Sequence, residues 1–197
     1  VVAIGARYNG YKGHVRIYQN KSGTWTKVGN DIDGEATYDE SGYSVSLSSD
    51  GSVVAIGARY NDGNGNSSGH VRIYENIDGN WSKIGDDIDG EAAGDNSGWS
   101  VSLSSDGSVV AIGANKNDGN GSKSGHVRIY QNTSGTWAKV SNDIGGEAAN
   151  DYSGHSVSLS SNGSVVAIGA YKNDGNGIDS GHVRIYQIAL DKTSPSI

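Results

Sequence analysis

The sequence contains no cysteine, no methionine and no phenylalanine, and only one of its 197 residues is proline. Without cysteine the fold cannot depend on a disulfide, and no thiol can act as a nucleophile. The absence of cysteine leaves the cellular compartment open, because intracellular proteins and bacterial-type secreted proteins that fold without disulfides share it.

Positive charge is also scarce. The chain has 15 Lys and Arg residues against 22 Asp and Glu residues, which gives a formal net charge of −7. Because affinity for a nucleic-acid backbone rests on Lys and Arg that neutralise phosphates, this charge argues against nucleic acid as a partner. It also disfavours an anionic membrane surface, and the sequence contains no membrane span. We therefore expect neither nucleic-acid binding nor membrane insertion.

No stretch of the sequence shows a convincing helical period. The chain instead contains 31 glycines, and Ser, Asn and Asp occupy almost every junction between apolar segments. This composition is typical of many short strands joined by tight turns. The sequence therefore predicts an all-β fold.

The strongest pattern is an internal repeat. The hexapeptide GHVRIY contains His14, His70, His126 and His182, which follow one another at intervals of 56 residues. The segment VVAIGA also recurs in each copy, and only the first copy is shorter, in the loop after Ala6. A period near about 50 residues is typical of propellers and stacked arrays. No single unit of this size can bury much apolar surface alone, so we expect the copies to share one core in one domain.

The second copy indicates how one unit divides into strands. Residues 44–48 alternate small polar and apolar side chains, which predicts an innermost strand, and Asp50-Gly51 predicts a tight hairpin after it. The apolar run 53–58 predicts a strand that is covered on both faces. We expect a third strand over 70–74 and an outer strand over 81–88.

Four antiparallel strands per unit suit the blade of a β-propeller, in which radial stacking of the sheets hides most of their edges. We therefore predict an all-β, β-propeller-like array of four-stranded antiparallel blades, with a repeat of about 56 residues and with the first and last copies incomplete. The propeller repeats cover residues 1–187, and a C-terminal linker or tail covers 188–197. The predicted copies lie at about 1–40, 41–96, 97–152 and 153–187.

The motifs also resemble a known family. Gly-Tyr-Ser-Val-Ser-Leu, Asp-Gly, Ala-Ile-Gly-Ala and Gly-His-Val-Arg-Ile-Tyr are similar to the FG-GAP repeats of integrin-α-type β-propellers, and the resemblance covers residues 1–187. The family's Phe-Gly is replaced here by Gly-Tyr, Gly-Trp or Gly-His, and the proline of its Gly-Ala-Pro is replaced by Arg59, Asn115 or Tyr171. The resemblance implies a β-propeller fold.

The resemblance also bears on calcium. Many members of this family carry a calcium loop between the first and second strands, but here that hairpin is only Ser-Ser-Asp-Gly-Ser or Ser-Ser-Asn-Gly-Ser. Each hairpin supplies one acidic or amide side chain, which is too few for an ion that takes about six to eight oxygens. We therefore do not transfer the family's calcium site to this chain.

The longer loop between the second and third strands is a better candidate for a metal site. It places oxygen-bearing side chains at near-alternate positions with glycines between them, an arrangement that Ca²⁺ can use. The candidate ligands are Asp62, Asn64, Asn66, Asp118, Asn120, Asp174, Asn176 and Asp179. The alternative is turn chemistry, since Asn and Asp tolerate left-handed backbone. Calcium is the one candidate cofactor, and both interpretations stay open.

Residues that recur in every copy are interpreted as structural, because a catalytic residue is expected only once. We interpret the repeated histidines and arginines of GHVRIY in this way, with the arginines paired to Glu35, Glu91 and Glu147 or bracing neighbouring blades. No Ser-His-Asp arrangement, phosphate loop or metal-type His pair stands out from the repeat. A channel hydrolase or lyase would need an unrepeated acid pair, and the sequence selects none. We therefore predict that the chain is not an enzyme.

Positions that differ between otherwise identical copies are the candidates for ligand binding, because aromatic and Arg side chains on protruding loops often anchor contacts. The predicted ligand-binding residues are Arg59, Tyr60, Asn115, Lys116, Tyr171 and Lys172, and Tyr43, Trp99 and His155 vary in the same way. These residues favour a non-enzymatic extracellular or cell-surface module that binds a protein or glycan within a larger adhesion protein. The alternative is a structural subunit of an extracellular filament or sheet, in which further copies of the chain complete each other's end blades.

Overall fold

The computed structural model describes residues 1–191, so residues 192–197 of the predicted tail lie outside the described part of the chain. The described residues form four antiparallel sheets, named blades 1 to 4, which follow one another along the sequence. Blade 1 consists of β1 (Val2–Ala6), β2 (His14–Lys21), β3 (Thr24–Lys27) and β4 (Ile32–Asp33). Blade 2 consists of β5 (Ser44–Leu47), β6 (Val53–Ala58), β7 (His70–Ile77), β8 (Asn80–Lys83) and β9 (Ile88–Asp89).

Blades 3 and 4 repeat this order. Blade 3 consists of β10 (Ser100–Leu103), β11 (Val109–Ala114), β12 (His126–Thr133), β13 (Thr136–Lys139) and β14 (Ile144–Gly145). Blade 4 consists of β15 (Ser153–Leu159), β16 (Val165–Ala170) and β17 (His182–Gln187). The only helical segment between residues 1 and 191 is a three-residue 3-10 turn, Asn9–Tyr11. No helix in this part of the chain could cross a membrane.

The blades share one pairing register, which confirms the all-β, propeller-like prediction. In blade 2, Ile56 of β6 lies opposite Arg72 of β7, and Ile112 and Arg128 are paired in the same way in blade 3. The strand predicted at 70–74 is present and extends to Ile77.

The outer strand is shorter than predicted. Instead of one strand over 81–88, β8 ends at Lys83, and the separate β9 pairs with the start of β7. The interruption falls at Gly85, whose φ of +69° lies in the left-handed region that glycine adopts without steric cost. The turn that follows brings the carboxylate of Asp87 to Arg72, with an Nε to Oδ2 distance of 3.2 Å.

The core lies between blades rather than inside them. Val71 and Ile73 on the third strand of blade 2 cluster with Val110 and Ile112 on the second strand of blade 3, and all four are at most 1% exposed. Equivalent clusters join blade 1 to blade 2 and blade 3 to blade 4. The copies therefore share their core, as the small apolar content of one unit predicts.

The inner strands of neighbouring blades approach closely. A Cβ atom at Gly57 of β6 would collide with the backbone carbonyl of Gly98, which belongs to the next blade. The Ser44 hydroxyl donates to the same carbonyl oxygen at 2.7 Å, and Ser100 makes the equivalent bond to Gly154 at 2.8 Å. Small residues in these strands thus bring blades together near the axis of the array.

The residues after β17 return to blade 3. Ile188 is buried in the cluster between blades 3 and 4. The backbone N–H of Asp191 donates to Oε1 of Gln131 at 3.0 Å. The described start of the tail is therefore packed against the propeller.

Candidate functional site

Three of the four repeated arginines join neighbouring blades. Arg72 of blade 2 pairs with Glu35 from the segment that follows blade 1. Arg128 pairs with Glu91 at 3.6 Å, and Arg184 pairs with Glu147 at 3.4 Å. The predicted Arg–Glu pairs are therefore confirmed, and each bridges two blades.

A buried histidine lies beside each of the first two of these pairs. Nδ1 of His126 lies 3.8 Å from Glu91 and 4.0 Å from Asp143, and His70 is similarly close to Asp87. Burial lowers the pKa of His126 to about 4 and also lowers the pKa of His70. The histidine and the two carboxylates in each cluster could serve as metal donors. The adjacent arginine already supplies a cation to these carboxylates, which favours a structural role.

The loops predicted to bind calcium use their polar side chains internally. Oδ1 of Asp62 accepts the backbone N–H of Ser67 at 2.7 Å, and Asp118 and Asp174 make the equivalent bond at the same distance. The side-chain amide of Asn64 donates to the carbonyl of Gly90 at 2.8 Å, and Asn120 repeats this bond with Gly146. Asn66, Asn176 and Asp179 are exposed on the same loops. These hydrogen bonds explain the polar side chains as parts of a turn. Calcium binding in these loops stays a prediction.

Positions that vary between copies come together beside the inner strands. Tyr43, Trp99 and His155 stand just before the shared Ser-Val-Ser-Leu segment of blades 2, 3 and 4. The ring centroids of Tyr43 and Trp99 are 5.0 Å apart, those of Trp99 and His155 are 5.5 Å apart, and those of His155 and Tyr171 are 4.4 Å apart. We name this set, together with Arg59, the axial stack. It crosses three blades without interruption.

Arg59 places a positive charge inside the axial stack. Its guanidinium lies 3.8 Å from the ring centroid of Tyr43, 4.6 Å from that of Trp99 and 4.4 Å from that of Tyr60. Nε donates to Oε2 of Glu40 at 2.9 Å, and the side chain is buried. Three aromatic rings and a carboxylate therefore fix the orientation of this cation.

His155 differs from the repeated histidines in both position and surroundings. It lies at the bulge of β15 between Ser153 and Ser156, and such bulges redirect side chains. Partial burial lowers its pKa, so the imidazole is neutral at pH 7. Its buried Nδ1 has no hydrogen-bond partner among residues 1–191. A neutral imidazole of this kind can act as a general base.

A cavity of about 350 Å³ opens beside His155 and is also lined by Tyr171, His182 and Val183. This volume lies in the range of small-molecule sites, which is about 300–1,000 Å³. The cavity lies on the face of blade 4 that corresponds to the face with which blades 1, 2 and 3 each pack on the next blade.

Cations follow the second strand in every blade. Arg7, Arg59, Lys116 and Lys172 stand at these four places in a chain of net charge −7. The pKa of Lys116 is lowered by burial and by the positive charges of Arg59 and Lys123. Lys172 lies 6.0 Å from the ring centroid of Tyr171. These cations edge the axial stack, where Arg59 is paired with Glu40 at 2.9 Å and Lys172 lies 4.0 Å from Asp179.

Of the predicted ligand-binding residues, Arg59 lies over the rings of Tyr43 and Tyr60. Tyr171 contacts the ring of His155, and Lys172 lies 6.0 Å from the ring centroid of Tyr171. Asn115 is 2% exposed, and its Oδ1 has no partner within residues 1–191. Ligand binding by this set stays a prediction. Glu40 is not among the predicted ligand-binding residues, although Asn96 and Tyr152 replace it in the next copies. This variation between copies is the feature of the sequence that could have identified Glu40 as a site residue.

Comparisons with known proteins concern the repeat and the fold. The family model for the FG-GAP repeat matches residues 32–74, 88–130 and 145–186. No sequence among the curated proteins matches the chain.

The solved structures of similar fold include two proteins named as lactonases. One is a proposed 6-phosphogluconolactonase from Bacteroides uniformis, with a TM-score of 0.60 and 14% identity over 93% of this chain and 46% of that protein. The other is the periplasmic gluconolactonase of Pseudomonas aeruginosa, with a TM-score of 0.56 and 16% identity over 94% of this chain and 49% of that protein. This chain therefore spans about half the length of each.

These structures correct the functional prediction. The prediction of a non-enzymatic binding or adhesion module, with a filament subunit as its alternative, is contradicted because proteins named as lactonases share this fold. The prediction that the chain is not an enzyme is wrong for the same reason. It rested on the absence of an unrepeated acid pair, whereas propeller blades can contribute different side chains from equivalent places to one axial site.

Proposed function

The chain belongs to the FG-GAP repeat family, and from this premise we propose that it is a propeller enzyme that hydrolyses the lactone of an anionic sugar acid at the axial stack. The observation that carries the proposal is the neutral, partly buried His155 between the rings of Trp99 and Tyr171. The names of the structurally similar proteins suggest the substrate class.

The aromatic rings suit a sugar ring. The C–H face of a pyranose is apolar and can pack on the faces of Tyr171 and Trp99, while its hydroxyls keep polar partners. The cavity beside His155 is large enough for one such ring.

The cations suit the negative group of the substrate. Arg59 is held in place by Glu40 and by aromatic rings, so little reorganisation is needed when an anion arrives. Lys116 adds a second charge nearby. We assign these two residues to binding a carboxylate or phosphate and to stabilising negative charge in the transition state.

His155 acts as the general base. It takes a proton from water while the water oxygen bonds to the lactone carbonyl carbon, which gives a tetrahedral intermediate. The bond from this carbon to the ring oxygen then breaks, and the ring oxygen takes the proton back from the imidazolium. The product is the open-chain acid, and the base is restored.

The test is a pH-stat assay of acid release from gluconolactone and 6-phosphogluconolactone, corrected for spontaneous hydrolysis. We expect hydrolysis by the wild-type chain and a fall in kcat of about 10²–10⁴-fold for His155→Gln, the usual contribution of a general base.

His14→Gln is the matched control, because His14 is a buried histidine of the repeat in blade 1. It should lower the melting temperature but leave kcat unchanged. A wild-type rate no faster than the spontaneous reaction on both lactones, or an unchanged kcat in folded His155→Gln, would overturn the proposal.

A further inference from the structure

Two tyrosines of the first copy of the repeat have left-handed backbone. Tyr11, in the shortened loop after β1, has a φ of +62°, and Tyr38, in the segment that leads to β5, has a φ of +74°. Bulky side chains rarely adopt this conformation, because their Cβ atom approaches the following carbonyl oxygen. The other copies have Ser67, Lys123 and Asp179 in place of Tyr11, and Gly94 and Asn150 in place of Tyr38. The fold therefore requires a left-handed residue at both places but does not require tyrosine.

The rings of these two tyrosines bury little surface. Tyr11 is 69% exposed and Tyr38 is 70% exposed. Their ring centroids are 6.0 Å apart, and the angle between the ring planes is 65°. We name Tyr11 and Tyr38 the tyrosine pair. The pair combines an unfavourable backbone conformation with little burial, and this combination points to a contact outside the fold.

The exposure of the tyrosine pair is a property of its place in the repeat. Lys123 and Asn150 stand at the same two places between blades 3 and 4, and both are exposed although blade 3 has a neighbour on each side. Backbone bonds join the two segments in a similar way in both copies. The N–H of Tyr38 donates to the carbonyl of Tyr11 at 2.6 Å, and that of Asn150 donates to Ser122 at 2.8 Å. The pair therefore lies on a surface that interior blades also expose.

The surroundings of the tyrosine pair are polar. The ammonium of Lys12 donates to the backbone carbonyl of Glu35 at 2.9 Å, and the carboxylate of Glu35 pairs with Arg72. Both charged groups beside the pair are thus engaged within the chain, which favours a neutral ligand. The other exposed residues of the two segments are Tyr8, Asn9, Gly10, Ala36 and Thr37. The surface therefore combines aromatic rings with hydrogen-bonding groups, without a Val, Leu or Ile side chain.

The exposed area of the tyrosine pair suits a small ligand. An aromatic side chain offers about 150–250 Å², so two rings that are each about 70% exposed present roughly 200–350 Å². A stable protein interface takes about 800 Å² from each partner. A sugar ring needs less, because the apolar C–H face of a pyranose packs on one aromatic ring while its hydroxyls reach polar neighbours such as Asn9 and Thr37. The area and the chemistry of the pair therefore favour a carbohydrate.

We propose that the tyrosine pair is a binding surface for a neutral oligosaccharide of pyranose units with equatorial hydroxyls, such as a β-linked glucan. In such a sugar the hydroxyls point outward from the ring edge, so the faces of successive units are apolar and can pack on Tyr11 and Tyr38. The surface is separate from the axial stack. Within residues 1–191, the rings of the pair make a ring contact with each other and with no ring of that stack. It accompanies the proposed hydrolysis and does not depend on it.

The experiment is isothermal titration calorimetry of the chain with cellohexaose. The variants are Tyr11→Ser and Tyr38→Gly, which introduce the residues that the second copy has at the same places. We expect saturable binding by the wild-type chain and an affinity at least about tenfold weaker in each variant, since each variant removes one aromatic contact. Neither variant should lower the melting temperature, because left-handed backbone is less unfavourable for serine and glycine than for a bulky side chain.

Ile178→Ser is the matched control. Ile178 is 91% exposed in the corresponding loop of blade 4, and Ser122 stands at its place in blade 3. This variant also removes an exposed apolar side chain, but it leaves the tyrosine pair intact and should bind cellohexaose with the wild-type affinity.

Three results would overturn the proposal. The first is no binding at millimolar cellohexaose, and the second is an unchanged affinity in both tyrosine variants. The third is a mass in sedimentation equilibrium that changes in the tyrosine variants while the affinity for cellohexaose does not, which would assign the pair to a protein contact. Because these measurements use no lactone, their failure is distinguishable from a failure of the proposed hydrolysis.

Discussion

Arg72 and Arg16 occupy the same place in GHVRIY, but their surroundings differ. The side chain of Arg72 is 13% exposed and pairs with Glu35 of the preceding segment and with Asp87. The side chain of Arg16 is 45% exposed and pairs with Asp31 within its own blade. The same residue type therefore joins two blades in one copy and lies near the surface in another.

We expect Arg72→Ala to reduce the free energy of unfolding by more than about 1 kcal/mol, because it leaves partly buried carboxylates without their cation. Arg16→Ala is the matched control and should cost clearly less, since exposed ion pairs contribute little. Urea denaturation of both variants provides the measurement. Equal losses for the two would contradict a bridging role for Arg72.

At the scale of single residues, the sequence predicts the repeated contacts better than the unrepeated ones. The pairing of Arg128 with Glu91 follows from the recurrence of both in every complete copy. The pairing of Arg59 with Glu40 does not, because packing of different elements brings these two together. Variation between the copies singles out position 40, but it does not identify Arg59 as the partner of Glu40.

At the scale of the element, the outer strands of blades 2 and 3 link each of these blades to the one before it. The indole N–H of Trp137 in β13 donates to the carbonyl of Ile84 at 3.1 Å, and Trp81 in β8 donates to Val28 at 2.9 Å. Trp25 in β3 belongs to the first blade and is 51% exposed. Sequence alternation predicts that these strands exist. It does not predict where they end, because the break at Gly85 depends on one backbone angle.

Replacement of Trp137 by Phe keeps most of the apolar ring and removes the N–H donor. We expect a loss of about 1 kcal/mol, because the Ile84 carbonyl would lose its partner. Trp25→Phe should change stability little. Thermal and urea unfolding of the two variants provide the comparison, and a larger loss for Trp25→Phe would argue against the interblade bond.

At the scale of the whole molecule, buried histidines link folding to pH. Burial lowers the pKa of His126 in the folded chain to about 4, well below its ordinary value of 6.5, and lowers the pKa of His70 in the same direction. Below pH 6.5 these histidines bind protons in the unfolded chain but not in the folded chain, so stability falls as the pH decreases. Because neighbouring blades share their cores, this loss of stability affects the whole array rather than one sheet.

We therefore expect the free energy of unfolding to decrease between pH 6.5 and pH 4, by on the order of 1–3 kcal/mol for His126. Denaturant titrations at several pH values measure the slope. His126→Gln should flatten it in this window, whatever its effect at pH 7. An unchanged slope in that variant would contradict the assignment of a buried, neutral His126.

The constant spacing of the interblade bonds constrains how a gene for this protein can change in length. These bonds join residues 53, 54, 56 or 57 positions apart, which is close to one full repeat. Deletion of codons 97–152 would present Gly154 to Ser44 in place of Gly98, and the Val and Ile partners of blade 2 would be replaced by identical ones from blade 4. Recombination between repeats can therefore remove or add one blade while the interface between neighbouring blades stays the same. A deletion of any other length within a strand shifts the register of that strand and of its bonds to both neighbours.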